Sequence, residues 1–82
     1  MMSDHYKPIS CALHSEYELA IMHHQKLRIQ WRITSEQTIT QTLKPYDIIT
    51  SEGSEYLLLH ALNEPDIKIR LDKIIDAQPI TE

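Results

Sequence analysis

Cys11 and His14 stand three residues apart, with His5 before them and His23 and His24 after, and together these side chains carry the donors that a zinc ion takes. A structural zinc site needs four ligands, and in sequence it shows itself as two paired elements; here the single Cys11 has no second Cys-x-x-Cys partner. The residues are therefore read as holding no metal. One of His23 and His24 is expected to sit at a helix C-terminus, favoured by the dipole, and the other to pack on a sheet. A thiol nucleophile at Cys11 meets a similar objection. His14 is near, but no third residue orients it, and a chain with one glycine has no glycine-built oxyanion site. No catalytic residue, enzyme activity or cofactor is expected.

The charged residues offer two further chemistries. Asp4, Glu16 and Glu18 gather on an N-terminal arm and the first turn of a helix. There they either stabilise the helix dipole or form an acidic surface for a basic partner. Lys26, Arg28 and Arg32 share one parity along a strand and could contact RNA phosphates, or simply form a solvated face. Trp31 has the opposite parity and is expected in the core.

Positioning these groups requires a framework, and the periodicities supply one. Residues 1–11 have no apolar period and Pro8 disfavours helix at Lys7, so they read as an arm. Ser15 and Glu18 have the spacing of a capping box, which predicts a helix from about Glu16 to Gln25. Two stripes compete for its buried side: Glu16, Leu19, Ala20 and His23, or Tyr17, Ile21 and His24.

From Lys26 to Thr34 the alternation is strict, placing Leu27, Ile29, Trp31 and Ile33 inward. Thr38 to Leu43 continues as the second arm of a hairpin, and Lys44-Pro45-Tyr46-Asp47 reads as a break in the sheet. Thr50 to Ser54 is a polar loop. A third strand spans about Glu55 to Leu62, where the unbroken Leu57-Leu58-Leu59 suggests burial on both faces. After a turn at 63–66, Ile67, Ile69 and Leu71 mark a fourth strand, and Lys73 to Ala77 a short fifth. One helix cannot cover both faces of such a sheet. The expected fold is thus mainly β with one N-terminal helix, a small and strongly bent Sm-like or OB-like β-barrel or sandwich, with residues 12–82 as a single helix-plus-barrel domain.

The chain has 82 residues, 41% of them apolar, enough for one small core. Its net charge is −4, and the bases concentrate between residues 25 and 50 while both flanking segments are acidic. That balance argues against a general nucleic-acid binder. One cysteine precludes an intramolecular disulfide, and no run of eighteen apolar residues occurs, so a cytoplasmic protein with no membrane association is expected.

Four segments occur together in order: Tyr6-Lys7-Pro8-Ile9-Ser10-Cys11, Glu18-Leu19-Ala20 leading to His23-His24, Glu55-Tyr56-Leu57, and Arg70-Leu71-Asp72-Lys73-Ile74. Spanning Tyr6 to Ile74, this set resembles the Rof (YaeO) family, bacterial inhibitors of Rho-dependent transcription termination. The resemblance implies a helix plus an Sm-like barrel, a monomer when free, whose partner is the RNA-binding N-terminal domain of the Rho hexamer. It also implies the contact set. Glu18 matches the family's helix glutamate, Cys11 matches the arm cysteine, and Ser15 takes a frequently acidic cap position. Glu16, His14, Asp4 and Ser54 complete the expected set, while Tyr6, Pro8 and Ile9 order the arm. The chain departs from the pattern at Ala12, Leu13 and His14, where the family commonly has acidic residues and a tyrosine. It departs again in the loop Ser51-Glu52-Gly53-Ser54, where relatives can have basic and amide residues.

Overall fold

In the computed structural model, which describes residues 5–80, Ser10 rather than Ser15 starts the helix. Its backbone is extended (φ −65°, ψ 154°) and its Oγ accepts from the Leu13 amide at 3.2 Å, so α1 spans Cys11–Met22. Both serines have the chemistry of a cap. Pro8 decides between them by holding the chain extended just upstream, so the helix begins at the first cap available after it. Ser15 lies within the helix, exposed, and Cys11 is the first helical residue instead of the end of the arm.

Neither competing stripe is buried as a whole: Tyr17 from one and Ala20 from the other are in the core with Ile21 packed beside them, whereas Glu16, Leu19, His23 and His24 are exposed. Beyond Met22 the chain closes in a Schellman motif. The Gln25 amide donates to the Ala20 carbonyl at 2.9 Å and the His24 amide to that of Ile21 at 3.2 Å, with His24 in the left-handed region at φ 53°. Both histidines are exposed, so neither packs on the sheet as expected. The reversal points the His24 side chain outward.

Five antiparallel strands follow: β1 (Leu27–Arg32), β2 (Thr38–Ser51), β3 (Ser54–Ala61), β4 (Glu64–Arg70) and β5 (Ile74–Pro79), in the spatial order β4-β3-β2-β1-β5. A 3-10 turn at Leu71–Lys73 links β4 to β5. The sheet does not close on itself, and β4 and β5 are its edges.

The segment read as a break is the middle of the longest strand. β2 pairs with β1 through Leu43 and with β3 from Lys44 onward, and the register shifts between Pro45 and Asp47. Proline lacks an amide to donate, so it fits a strand where a bulge already interrupts the ladder. Pro45 is buried there. The β2–β3 hairpin turns on Glu52 and Gly53, both at positive φ (51° and 81°), the pairing that a two-residue turn of this hand demands.

Inward residues from every layer meet in one core: Tyr17 and Ala20 from α1, Leu27 and Ile29 from β1, Leu43 from β2, Leu57 and Leu59 from β3, Ile69 from β4, and Leu71. No polar or charged side chain is buried among the described residues. Leu57 and Leu59 are fully buried but Leu58 is only half-buried, so the leucine run covers one face of β3 rather than two. Trp31 packs at the margin of the core, and Ile33, beyond the end of β1, is exposed.

Because a residue other than glycine occupies the left-handed position that ends α1, His24→Gly should stabilise the fold by about 0.5–1 kcal/mol, less strain at φ 53° outweighing the entropy glycine adds to the unfolded chain. Chemical denaturation measures this. A loss of stability would mean that the His24 side chain contributes a contact of its own.

Candidate interaction surface

Alternation along β3 puts Glu55 on the same face as Leu57 and Leu59, at the rim of the core beneath α1 and the arm. Its carboxylate serves both. The Tyr6 hydroxyl donates to Oε1 at 3.1 Å, and His14 Nε2 lies 3.3 Å from Oε2. On its other side His14 Nδ1 is 3.6 Å from Glu18 Oε1, an ion-pair separation across one helical turn. Two carboxylates thus face the two nitrogens of one imidazole.

The arm has a second anchor. The Lys7 amide donates to Asp72 Oδ2 at 2.9 Å, and the same carboxylate receives Arg70 Nε at 2.6 Å and Nη2 at 3.0 Å. Arg70 and Asp72 are largely buried, and the guanidinium lies 6.0 Å over the Tyr6 ring. A bidentate pair of this kind fixes its carboxylate rigidly, so the backbone at Lys7 is held by a preset acceptor. Burial, followed by the hydrogen bond and charge of Glu55, pushes the Tyr6 phenol up to about 12.

The expected contact residues divide accordingly. Cys11, Ser15 and Glu18 recur at four and three residues, form one outward stripe of α1, and are exposed; His14 stands beside them, half-buried. Ser54, half-buried at the start of β3, adjoins Glu55. Glu16 does not belong to this group. It lies across the helix and lines an apolar groove with Tyr17, Leu19, Leu27, Ala77 and Pro79, facing β5. Asp4 lies outside the described residues. His23 stands nine residues from His14 on one helix, a rise of about 14 Å, too far for a shared ion. Among the described residues no three His, Cys, Asp or Glu side chains are grouped to hold a metal.

Sequence reading missed Glu55 as a site residue, although the alternation Glu55-x-Leu57-x-Leu59 places it inward. It also missed a second constellation on the opposite side of the sheet. Tyr46 and His60 stack with centroids 4.1 Å apart and planes inclined by 19°; the Tyr46 hydroxyl donates to Asp66 Oδ2 at 3.0 Å, and His60 Nδ1 is 2.9 Å from Asp66 Oδ1. The hydrogen bonds from His60 and then Tyr46 hold the Asp66 carboxyl below its ordinary range. Tyr46 was read as part of a break and Asp66 as part of a turn. Only the bulge in β2 and the early start of β4 bring them together.

Arg28 and Arg32 are exposed on the outward side of β1, as expected. No helix among the described residues is long and apolar enough to cross a membrane. No protein-family model, curated protein or solved structure matches the chain.

A raised phenol favours the folded state while it is protonated: the attachment of the arm through Tyr6 is intact below pH 10, the ordinary value, and is lost as pH rises through about 12. Tyr6→Phe should delete this late-titrating phenol from a spectrophotometric titration. At neutral pH it should cost about 0.5–1.5 kcal/mol of arm attachment, read as faster proteolysis before Cys11. An unchanged late phenol titration would assign the high value to another tyrosine.

Proposed function

We propose that the protein is a non-enzymatic inhibitor of the transcription termination factor Rho, binding the RNA-binding N-terminal domain of the hexamer and keeping transcripts from loading. The observation that carries the proposal is the tie from Glu55 to both Tyr6 and His14, with Glu18 at the far side of His14. It holds arm, helix and the start of β3 as one surface, so that Cys11, Ser15 and Glu18 are displayed without further ordering at the moment of binding. A surface that must hold RNA is basic, and an acidic partner gains steering toward it as well as replacement ion pairs for phosphates. Occupancy alone then inhibits. Glu16 points away from this stripe, so the acidic contribution of the helix comes from Glu18, and Glu52 adds a carboxylate at the hairpin turn beside Ser54.

The same proposal includes the finer fold. A helix followed by five antiparallel strands, with a long second strand shared between the two halves of the sheet, supports the reading as an Sm-like barrel left open between β4 and β5. In this reading the protein is monomeric when free and acts in the cytoplasm, with neither metal nor cofactor. A second reading has its own observation: the exposed Arg28 and Arg32 on β1, with Lys26, suit an Sm-like RNA-binding module.

Competition distinguishes the two. Purified Rho is titrated with the protein in the presence and absence of a pyrimidine-rich RNA, and mutual exclusion is expected. Glu18→Lys should weaken Rho binding by about 2 kcal/mol, close to thirtyfold, because a favourable charge contact becomes repulsive. Unchanged affinity would remove Glu18 from the contact. A protein that ignores Rho but binds the RNA itself, with affinity lost in Arg28→Glu/Arg32→Glu, would replace the first reading by the second.

A further inference from the structure

Beyond Leu43, β2 has left β1, and along residues 44–51 its only strand neighbour is β3. One edge of that half is therefore open. Asp47 and Ile48 are consecutive, on opposite faces of the strand, and both line a cleft of about 410 Å³ with Glu18, Ile21 and Met22, so the cleft runs along the open edge beside the last turn of α1. The Ile48 amide donates to Asp47 Oδ1 at 2.8 Å, which draws that carboxylate in to the edge. On the helical wall the contact stripe continues, because Cys11, Ser15, Glu18 and Met22 recur at four, three and four residues. Met22 is 71% exposed, and no base lines the cleft. Among the described residues neither Glu18 nor Asp47 meets a lysine or an arginine, and the imidazole of His14 stands at Glu18 Oε1, leaving Glu18 Oε2 and Asp47 Oδ2 open to a donor.

We propose that this cleft receives an arginine side chain of the partner, the stem along Ile21, Met22 and Ile48 and the guanidinium between the carboxylates of Glu18 and Asp47. That the partner is Rho rests on the functional reading above; the cleft adds Asp47 and Met22 to the contact and names the side chain they take. Two features carry the assignment. The charge lining the cleft is of one sign, so an entering cation is drawn by two carboxylates and repelled by no base. A guanidinium carries five donors in a planar fork and can serve acceptors on two sides at once, which a compact ammonium does less well. The second feature is the apolar surface between the acids, two isoleucines and a methionine, all of them accessible. A methylene stem packs there and the thioether of Met22 adapts to it, whereas a bare cation gains nothing from such a surface.

Butylguanidinium, which reproduces stem and head, and guanidinium, which lacks the stem, are titrated into the full chain while backbone amide resonances are followed; purified Rho is titrated in parallel. Butylguanidinium should shift the amides of Glu18, Met22, Asp47 and Ile48, and bind several-fold more tightly than guanidinium. Asp47→Asn, whose side-chain oxygen still accepts from the Ile48 amide, should weaken binding of butylguanidinium and should weaken binding of Rho about tenfold. Met22→Gln, similar in length and in helix propensity, should weaken Rho binding about threefold through the lost apolar contact. A denaturation midpoint equal to that of the native protein shows that neither variant has lost the fold. The cleft and the Rho reading fail separately. Shifts at the four amides without any binding of Rho support the cleft and remove Rho as the partner. Native affinity for Rho in both Asp47→Asn and Met22→Gln, alongside weakened binding in Glu18→Lys, keeps Rho and overturns the cleft. Equal affinity for guanidinium and butylguanidinium, or shifts centred elsewhere on the surface, overturns it as well.

Discussion

Leu43 pairs with Leu27 on β1, and Lys44, one residue later, pairs with His60 on β3, so β2 changes partners between consecutive residues. Much else in the molecule follows from that change. A short chain with a single helix must bury the inward side of five strands, and a flat sheet would leave part of it uncovered. By serving β1 with its first half and β3 with its second, β2 joins the two halves of the sheet and lets Leu27, Leu43, Leu57 and Leu59 reach a common core beneath Tyr17 and Ala20. The bulge at Pro45 makes the bend affordable, since the residue that cannot donate to a ladder lies where the ladder is already interrupted. The same change of partner leaves one edge of β2 open beside Glu18 and Met22, and the extra residue in β2 brings Tyr46 over His60.

Glu55 is the polar counterpart of that arrangement. A carboxylate on the inward face of a strand is costly unless it is satisfied, and this one sits at the rim, about a third exposed, with a phenol on one oxygen and an imidazole on the other. Removing water from part of it is offset by two contacts from different segments. The consequence is mechanical: the arm leaves only by breaking the Tyr6 contact to Glu55, and the helix rotates only by displacing His14. Asp72 acts similarly on the backbone at Lys7, held by a guanidinium that also covers Tyr6.

Several of these features were legible in the sequence, and the failures have identifiable causes. The strand at Leu27 was readable because alternation survives for its whole length and its partner follows directly in the chain. The helix was found but placed late, since Ser10 and Ser15 both have capping chemistry and only the extended chain after Pro8 separates them. Pro45 was read as a terminator because the rule that excludes proline from strands holds for regular ladders and not for bulges. Leu58 looked like a doubly buried residue, whereas burial follows from the open side of the sheet, which a run of leucines does not encode. On the helix, the exposed stripe of Cys11, Ser15 and Glu18 follows from spacing alone. The split between Glu16 and Glu18, two residues and about 200° apart, follows too once the helix is phased by Tyr17. The contacts of Tyr6 with Glu55 and of Tyr46 with Asp66 join residues 49 and 20 positions apart, and no local pattern reports such pairs.

The distribution of polar groups bears on how such a chain can carry recognition at all. Its core is made of aliphatic side chains and Tyr17, so the stability of the fold resides in side chains kept away from the surface. The groups that could recognise something stand at the margins: Glu18 on an exposed helical stripe, Asp47 at the rim of a cleft, Arg28 and Arg32 outward on β1. Substitutions at exposed positions distant from the core generally change stability by less than about 0.5 kcal/mol. Charge on these margins can therefore vary without penalty to the fold, and the exposed Ala12, Leu13, Glu52 and Gly53 are positions of the same kind. Glu55, Asp72 and Asp66 are different, because each carboxylate holds two or more groups in place; substitution there moves the surface itself.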